Sequence, residues 1–108
     1  MEQGGIMYWS ELYPGIGSID DYDERNIFIP EGIKYKLLDI IKNKLEDLIG
    51  SRISVWEEYD LIASDLPRFL DILEEVDTPE KELLDWIDKA KIFLLRAISF
   101  KKDISIAL

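Results

Sequence analysis

Between Val55 and Val76 the apolar residues Val55, Tyr59, Ile62, Leu66, Phe69, Leu73 and Val76 recur at alternating steps of four and three, and Pro67 stands inside the run. Steps of four and three line up one face of an α-helix. A proline within a helix removes a backbone hydrogen bond and collides with the preceding turn, at a cost of about 3 kcal/mol. Two helices sharing one register reconcile these facts, so the spacing predicts a helical region over 54–76, broken near Pro67. A short helix over 55–63 comes first, and Ser54-Val55-Trp56-Glu57 has the spacing of a capping box for it. A second, over 65–76, is capped by Ser64 or Asp65 and holds Pro67 in its first turn, where the missing amide hydrogen is harmless. The opposite side carries Glu57, Glu58, Asp60, Asp71, Glu74, Glu75 and Asp77 against Arg68, a dense acidic surface.

The same pattern extends to either side. Ile33, Leu37, Ile40, Ile41, Leu45, Leu48 and Ile49 share a face, and Gly50 follows as a helix-ending glycine, which predicts a helix over 31–49. Thr78-Pro79-Glu80 reads as cap, first-turn proline and first-turn acid of a last helix over 79–101, with Leu83, Ile87, Ala90, Leu94 and Ala97 inward. Residues 1–26 read as irregular, punctuated by Gly4, Gly5, Pro14, Gly15 and Gly17. Their aromatics Tyr8, Trp9, Tyr13 and Tyr22 are more than a solvated tail needs. Met1–Gly5 reads as either a vector-derived or an alternative start, with Met7 beginning the natural chain. Ile27-Phe28-Ile29 and Ile104–Leu108 are short β-type runs whose only evident partners are each other. The fold class expected is all-α: one domain over 1–108, an antiparallel bundle of three to four helices, an irregular aromatic N-terminal segment and a short terminal strand pair.

The chemistry-bearing residues are few. The chain has no His and no Cys, which removes the commonest general base, the thiolate nucleophile and the usual ligands of zinc. Gly15-Ile16-Gly17 lacks the strand and helix that make a phosphate cradle. Asp21, Asp23 and Glu24 lack the central glycine and closing glutamate of a calcium loop. The carboxylates near Tyr59 have no catalytic companions. No enzyme activity, no catalytic residue, no cofactor and no metal is expected. Nothing approaches the roughly 18 apolar residues of a membrane span, and a soluble, cytoplasmic protein is expected.

The net charge is −10, and it is segregated. Residues 1–32 hold seven acids and one base, and 54–80 nine acids and one base, whereas 33–53 and 81–108 are mildly basic. Nucleic acid is a poor partner, because phosphate binding needs clustered Lys and Arg. A basic protein is the natural complement. Aromatics interleaved with acids make rigid anchors in a negative rim, and Trp9, Tyr22 and Trp56 are the expected contacts, whereas Trp86 and Phe69 are expected in the core.

Asp65-Leu66-Pro67-Arg68-Phe69-Leu70 opening a helix, with Trp56-Glu57-Glu58-Tyr59-Asp60 before it in an acidic, Cys-free chain of this size, resembles the small immunity proteins encoded beside polymorphic or contact-dependent growth-inhibition toxins. The resemblance covers residues 31–108. It implies a bacterial cytoplasmic protein that binds the toxin domain of a sibling cell and blocks it, often opposing a basic nuclease surface with an acidic one. Carried onto this chain, it implies that Glu57, Glu58 and Asp60, together with the loop Asp20, Asp21, Tyr22, Asp23 and Glu24, meet Lys and Arg of the toxin. The alternatives are an inhibitor that mimics nucleic acid and a subunit of a homo-oligomer.

Overall fold

Strand pairing, rather than helix packing alone, organises the chain. The structure is a computed structural model that describes residues 4–12, 24–54 and 57–108. The described elements are β1 (Gly5–Trp9), β2 (Asn26–Ile29), α1 (Glu31–Ile49), β3 (Glu58–Leu61), α2 (Leu66–Glu74), α3 (Lys81–Ser99) and β4 (Ile104–Ala107). The four strands form one antiparallel sheet in the order β2-β1-β4-β3. The all-α bundle is therefore overturned, and the fold is α+β. Ile27–Ile29 and Ile104–Ala107 do form strands, but they are not partners, because β1 lies between them.

The unforeseen strand is β1. Met7, Tyr8 and Trp9 are all buried, so no alternation of apolar and polar residues marks them as a strand. Gly5 is its first residue, paired with Ile29, and a Cβ there would lie 2.6 Å from the Ala107 carbonyl oxygen. That glycine belongs to the sheet. Chain order then follows from the helices: α1 carries the chain from the β2 edge across to the β3 edge, and α2 and α3 return it to the slot between β3 and β1.

Register divides the sheet into two faces. Met7, Trp9, Ile29, Ile104, Ile106, Tyr59 and Leu61 share one hydrophobic core with the helices. Tyr8, Phe28, Glu58, Asp60 and Ser105 belong to the other face. Helix α1 turns Ile33, Leu37, Leu38, Ile41, Leu45 and Leu48 to the core and ends at Gly50, whose φ of 84° is left-handed and whose N–H donates to the Glu46 carbonyl. Lys34, 2 % exposed, sends its ammonium to the Leu108 carbonyl at 3.1 Å and so ties α1 to the end of β4. Helix α2 has Pro67 in its first turn and buries Leu66, Phe69 and Leu73, each burial stabilising by about 1.5–3 kcal/mol. Helix α3 buries Leu83, Trp86, Ile87, Ala90, Phe93, Leu94 and Ala97. It starts at Lys81, two residues later than Thr78-Pro79 suggests, because the Thr78 hydroxyl accepts the Glu80 N–H at 3.2 Å in a turn outside the helix.

The expected helix over 55–63 is also overturned, since Glu58–Leu61 is a strand. Glu58-Tyr59-Asp60-Leu61 alternates exposed and buried, a period of two. A helical reading puts Ile62 in the core and leaves Leu61 out; the strand buries Leu61 to 2 % exposure and leaves Ile62 55 % exposed. Ser54 and Glu57 form no capping box: the Ser54 N–H donates to the Tyr59 hydroxyl at 2.5 Å, and the Glu57 carboxylate lies 3.2 Å from that hydroxyl. Denaturant unfolding separates the two periods. Leu61→Ala is expected to cost about 2–5 kcal/mol and Ile62→Ala no more than about 0.5 kcal/mol; equal costs, or the reverse order, contradict the strand.

Candidate functional site

The sheet's two edges are treated differently. Hydrogen bonds from the Trp9 N–H to the Arg25 carbonyl (3.0 Å) and from the Leu108 N–H to the Glu57 carbonyl (3.3 Å) set the pairing parity at each edge. By that parity the backbone groups of Phe28 in β2, and of Glu58 and Asp60 in β3, face away from the sheet. On the β2 edge the Trp86 indole N–H donates to the Phe28 carbonyl at 2.9 Å, so α3 covers that edge. Among the described residues no strand lies beyond β3.

That open edge is acidic. Glu57, Glu58 and Asp60 are all exposed, and residues 58 and 60 share a face because a strand's side chains repeat every second residue. Both carboxylates are held from other strands of the sheet, Glu58 from β1 across β4 and Asp60 from β4 itself. The Tyr8 hydroxyl of β1 donates to Glu58 Oε1. The Ser105 hydroxyl of β4 donates to Asp60 Oδ1 at 2.6 Å, which makes Ser10 the donor in its 2.8 Å contact with Ser105. A carboxylate has about four acceptor positions, so each keeps lone pairs for a cation arriving from solvent. The strand is pinned at its ends as well: the Tyr59 hydroxyl lies 3.1 Å from the Arg52 carbonyl, and Asp103 Oδ1 accepts the Ala63 N–H at 2.8 Å.

Tyr8 is fully buried although it lies on the face away from the helices. Its phenol is pushed up to about 12, first by burial, then by the hydrogen bond and negative charge of Glu58, with the Ser105 hydrogen bond acting the other way. It therefore stays protonated at neutral pH and donates its hydrogen to Glu58. The protonated phenol thus holds the exposed Glu58 carboxylate in place. Among the described residues no three acidic side chains converge as metal ligands, and no helix is long and apolar enough to cross a membrane.

The expected contact residues are dispersed. Glu58 and Asp60 share one face of a strand instead of a helix, and Glu57 is exposed immediately before it. Trp9 is buried at 8 % exposure on the helix side, its ring centroid 5.8 Å from that of Phe100. Glu24 is exposed just before β2 and pairs with Arg96 at 3.0 Å, so it stands by the opposite edge of the sheet. Asp20, Asp21, Tyr22, Asp23 and Trp56 lie outside the described residues. Trp86 and Phe69 are in the core. The residues that sequence reasoning missed are Tyr8, Ser10 and Ser105, and the one local signal was the polar Ser105 in the alternation Ile104-Ser105-Ile106. Comparison with protein-family models, with curated proteins and with solved structures finds no match for this chain.

The Tyr8 shift has a defined sign. A phenol whose folded pKa is raised from 10.0 to about 12 contributes stability that is complete below pH 10 and is lost as pH rises through 12. Ultraviolet titration is expected to show a phenol ionising near 12 that disappears in Tyr8→Phe, and wild-type stability should fall more steeply than that of the variant between those pH values. An unchanged titration in the variant contradicts the assignment.

Proposed function

We propose that this chain is an immunity-type protein that binds a basic toxin domain and neutralises it by stoichiometric occlusion, meeting its partner with the β3 edge. The observation that carries this reading is the open acidic edge, on which Glu58 and Asp60 are held in place by Tyr8 and Ser105. Carboxylates already fixed by hydroxyl donors lose little freedom when Lys or Arg arrives, which favours affinity. The backbone groups of residues 58 and 60 face the same way, so an extended basic segment can add to the sheet as a further strand while its cations meet the carboxylates. Segregated charge also steers a basic protein to this edge and speeds association. The lack of His and Cys fits a protein that acts by occupying a surface.

The test is co-expression of the chain with the product of the adjacent reading frame and measurement of the complex at low and moderate salt. A one-to-one complex is expected. Glu58→Lys with Asp60→Lys should weaken it at least about tenfold, because each change replaces an attraction with a repulsion, and added salt should slow association. No complex with that neighbour, or a complex indifferent to both substitutions, contradicts the reading. Capture of several unrelated basic nucleic-acid-binding proteins by the same edge would favour nucleic-acid mimicry instead.

A further inference from the structure

Past Asp60 the β3 edge changes character. Ile62 keeps an extended backbone, with φ −73° and ψ 155°, so it continues the two-residue alternation beyond Leu61, and it is 55 % exposed. Glu58, Asp60 and Ile62 therefore stand in order along one face of the edge: acid, acid, aliphatic. The Ile62 carbonyl then accepts the Asp65 N–H at 2.9 Å, which turns the chain away toward α2 and ends the edge. What fits here is short.

The backbone adds a direction to this pattern. Because the Leu108 N–H reaches the Glu57 carbonyl, Glu58 and Asp60 occupy the non-hydrogen-bonded positions of the β3–β4 ladder, and each turns both its N–H and its C=O outward. In antiparallel pairing one incoming residue can exchange both bonds with Glu58 and another with Asp60, which sets each side chain directly opposite its acid. Parallel pairing slants the bonds to residues on either side and is less stable. Opposite charges across such a pair stabilise and like charges destabilise, so Lys or Arg belongs opposite both acids and an aliphatic residue opposite Ile62.

We propose that the β3 edge takes, as an added antiparallel strand, a partner segment that reads aliphatic-x-(Lys or Arg)-x-(Lys or Arg) from N- to C-terminus. Its aliphatic residue lies opposite Ile62 and its two cations opposite Asp60 and Glu58. This rests on the reading of the edge as the toxin-binding surface and adds the sequence and direction of the segment bound. Among the described residues no strand competes for the edge. The chain's own runs of this pattern, Ile40–Lys44 and Ile87–Lys91, lie inside α1 and α3, so a second copy is not the occupant.

The probe is a capped synthetic peptide, Thr-Val-Thr-Lys-Thr-Lys-Thr, added at low salt to the isotope-labelled full chain. At saturation, amide exchange at Glu58 and Asp60 should slow at least about tenfold. A nitroxide on the N-terminus of the peptide should broaden the Ile62 amide, and one on its C-terminus the Glu58 amide. Methylating the backbone nitrogens of the two lysines keeps their charges and removes bonds to Glu58 and Asp60, so it should weaken binding at least about tenfold. Equal binding of the methylated peptide, unslowed exchange or the opposite nitroxide order overturns the proposal. Exchange in the complex with the product of the adjacent reading frame separates this from the wider reading. A one-to-one complex that Glu58→Lys and Asp60→Lys weaken, but in which the Glu58 and Asp60 amides still exchange fast, overturns strand addition and leaves toxin binding standing. If that complex never forms while the peptide behaves as expected, toxin binding is overturned and the edge remains a site for basic strands.

Discussion

The fold depends on β4 entering the sheet between β1 and β3. One side of β4 pairs with β1 from Ile104 against Trp9 to Ala107 against Ile6, and the other pairs with β3 from Ile104 against Leu61 to Ala107 against Glu58. Without it the sheet falls into a two-stranded ribbon, β1 with β2, and an isolated strand, neither stable alone in water. Ile104 and Ile106, almost wholly buried, fasten this strand to the helical core, and Lys34 fastens its end to α1. Because the pairing parity is set here, β4 also decides which residues of β3 turn their backbone outward. Fold and candidate site therefore rest on the same few hydrogen bonds.

An exposed sheet edge invites pairing with any other strand. This chain covers one edge with α3 and Trp86, and among the described residues no strand covers the other, acidic edge. Acids at the open edge bring like charges together when two copies meet edge to edge, which disfavours that contact. The same acids favour a basic strand.

Much of the helical part was legible in the sequence. Helix α1 announces itself by its 3.6-residue period and Gly50, and α2 by Pro67 in a first turn. The strands were harder, for reasons particular to each. β1 is central and covered on both sides, so Met7-Tyr8-Trp9 shows no alternation. β3 was hidden by coincidence: Tyr59 is buried by a period of two, yet it falls in the four-three register of Leu66, Phe69 and Leu73, and adjacent Leu61 and Ile62 let either period fit. Glu57, Glu58 and Asp60 stood out by charge alone. Their arrangement did not, because Tyr8 is 50 residues from Glu58 and meets it only through two strand registers that no local pattern encodes.

Amide hydrogen exchange, read residue by residue across 57–62, tests the open acidic edge most directly. A strand paired only through β4 predicts slow exchange at Tyr59 and Leu61, which bond to the sheet, and fast exchange at Glu58 and Asp60, which face outward. Uniform protection of all four would mean a helix there or a further strand already covering the edge, and would contradict the account.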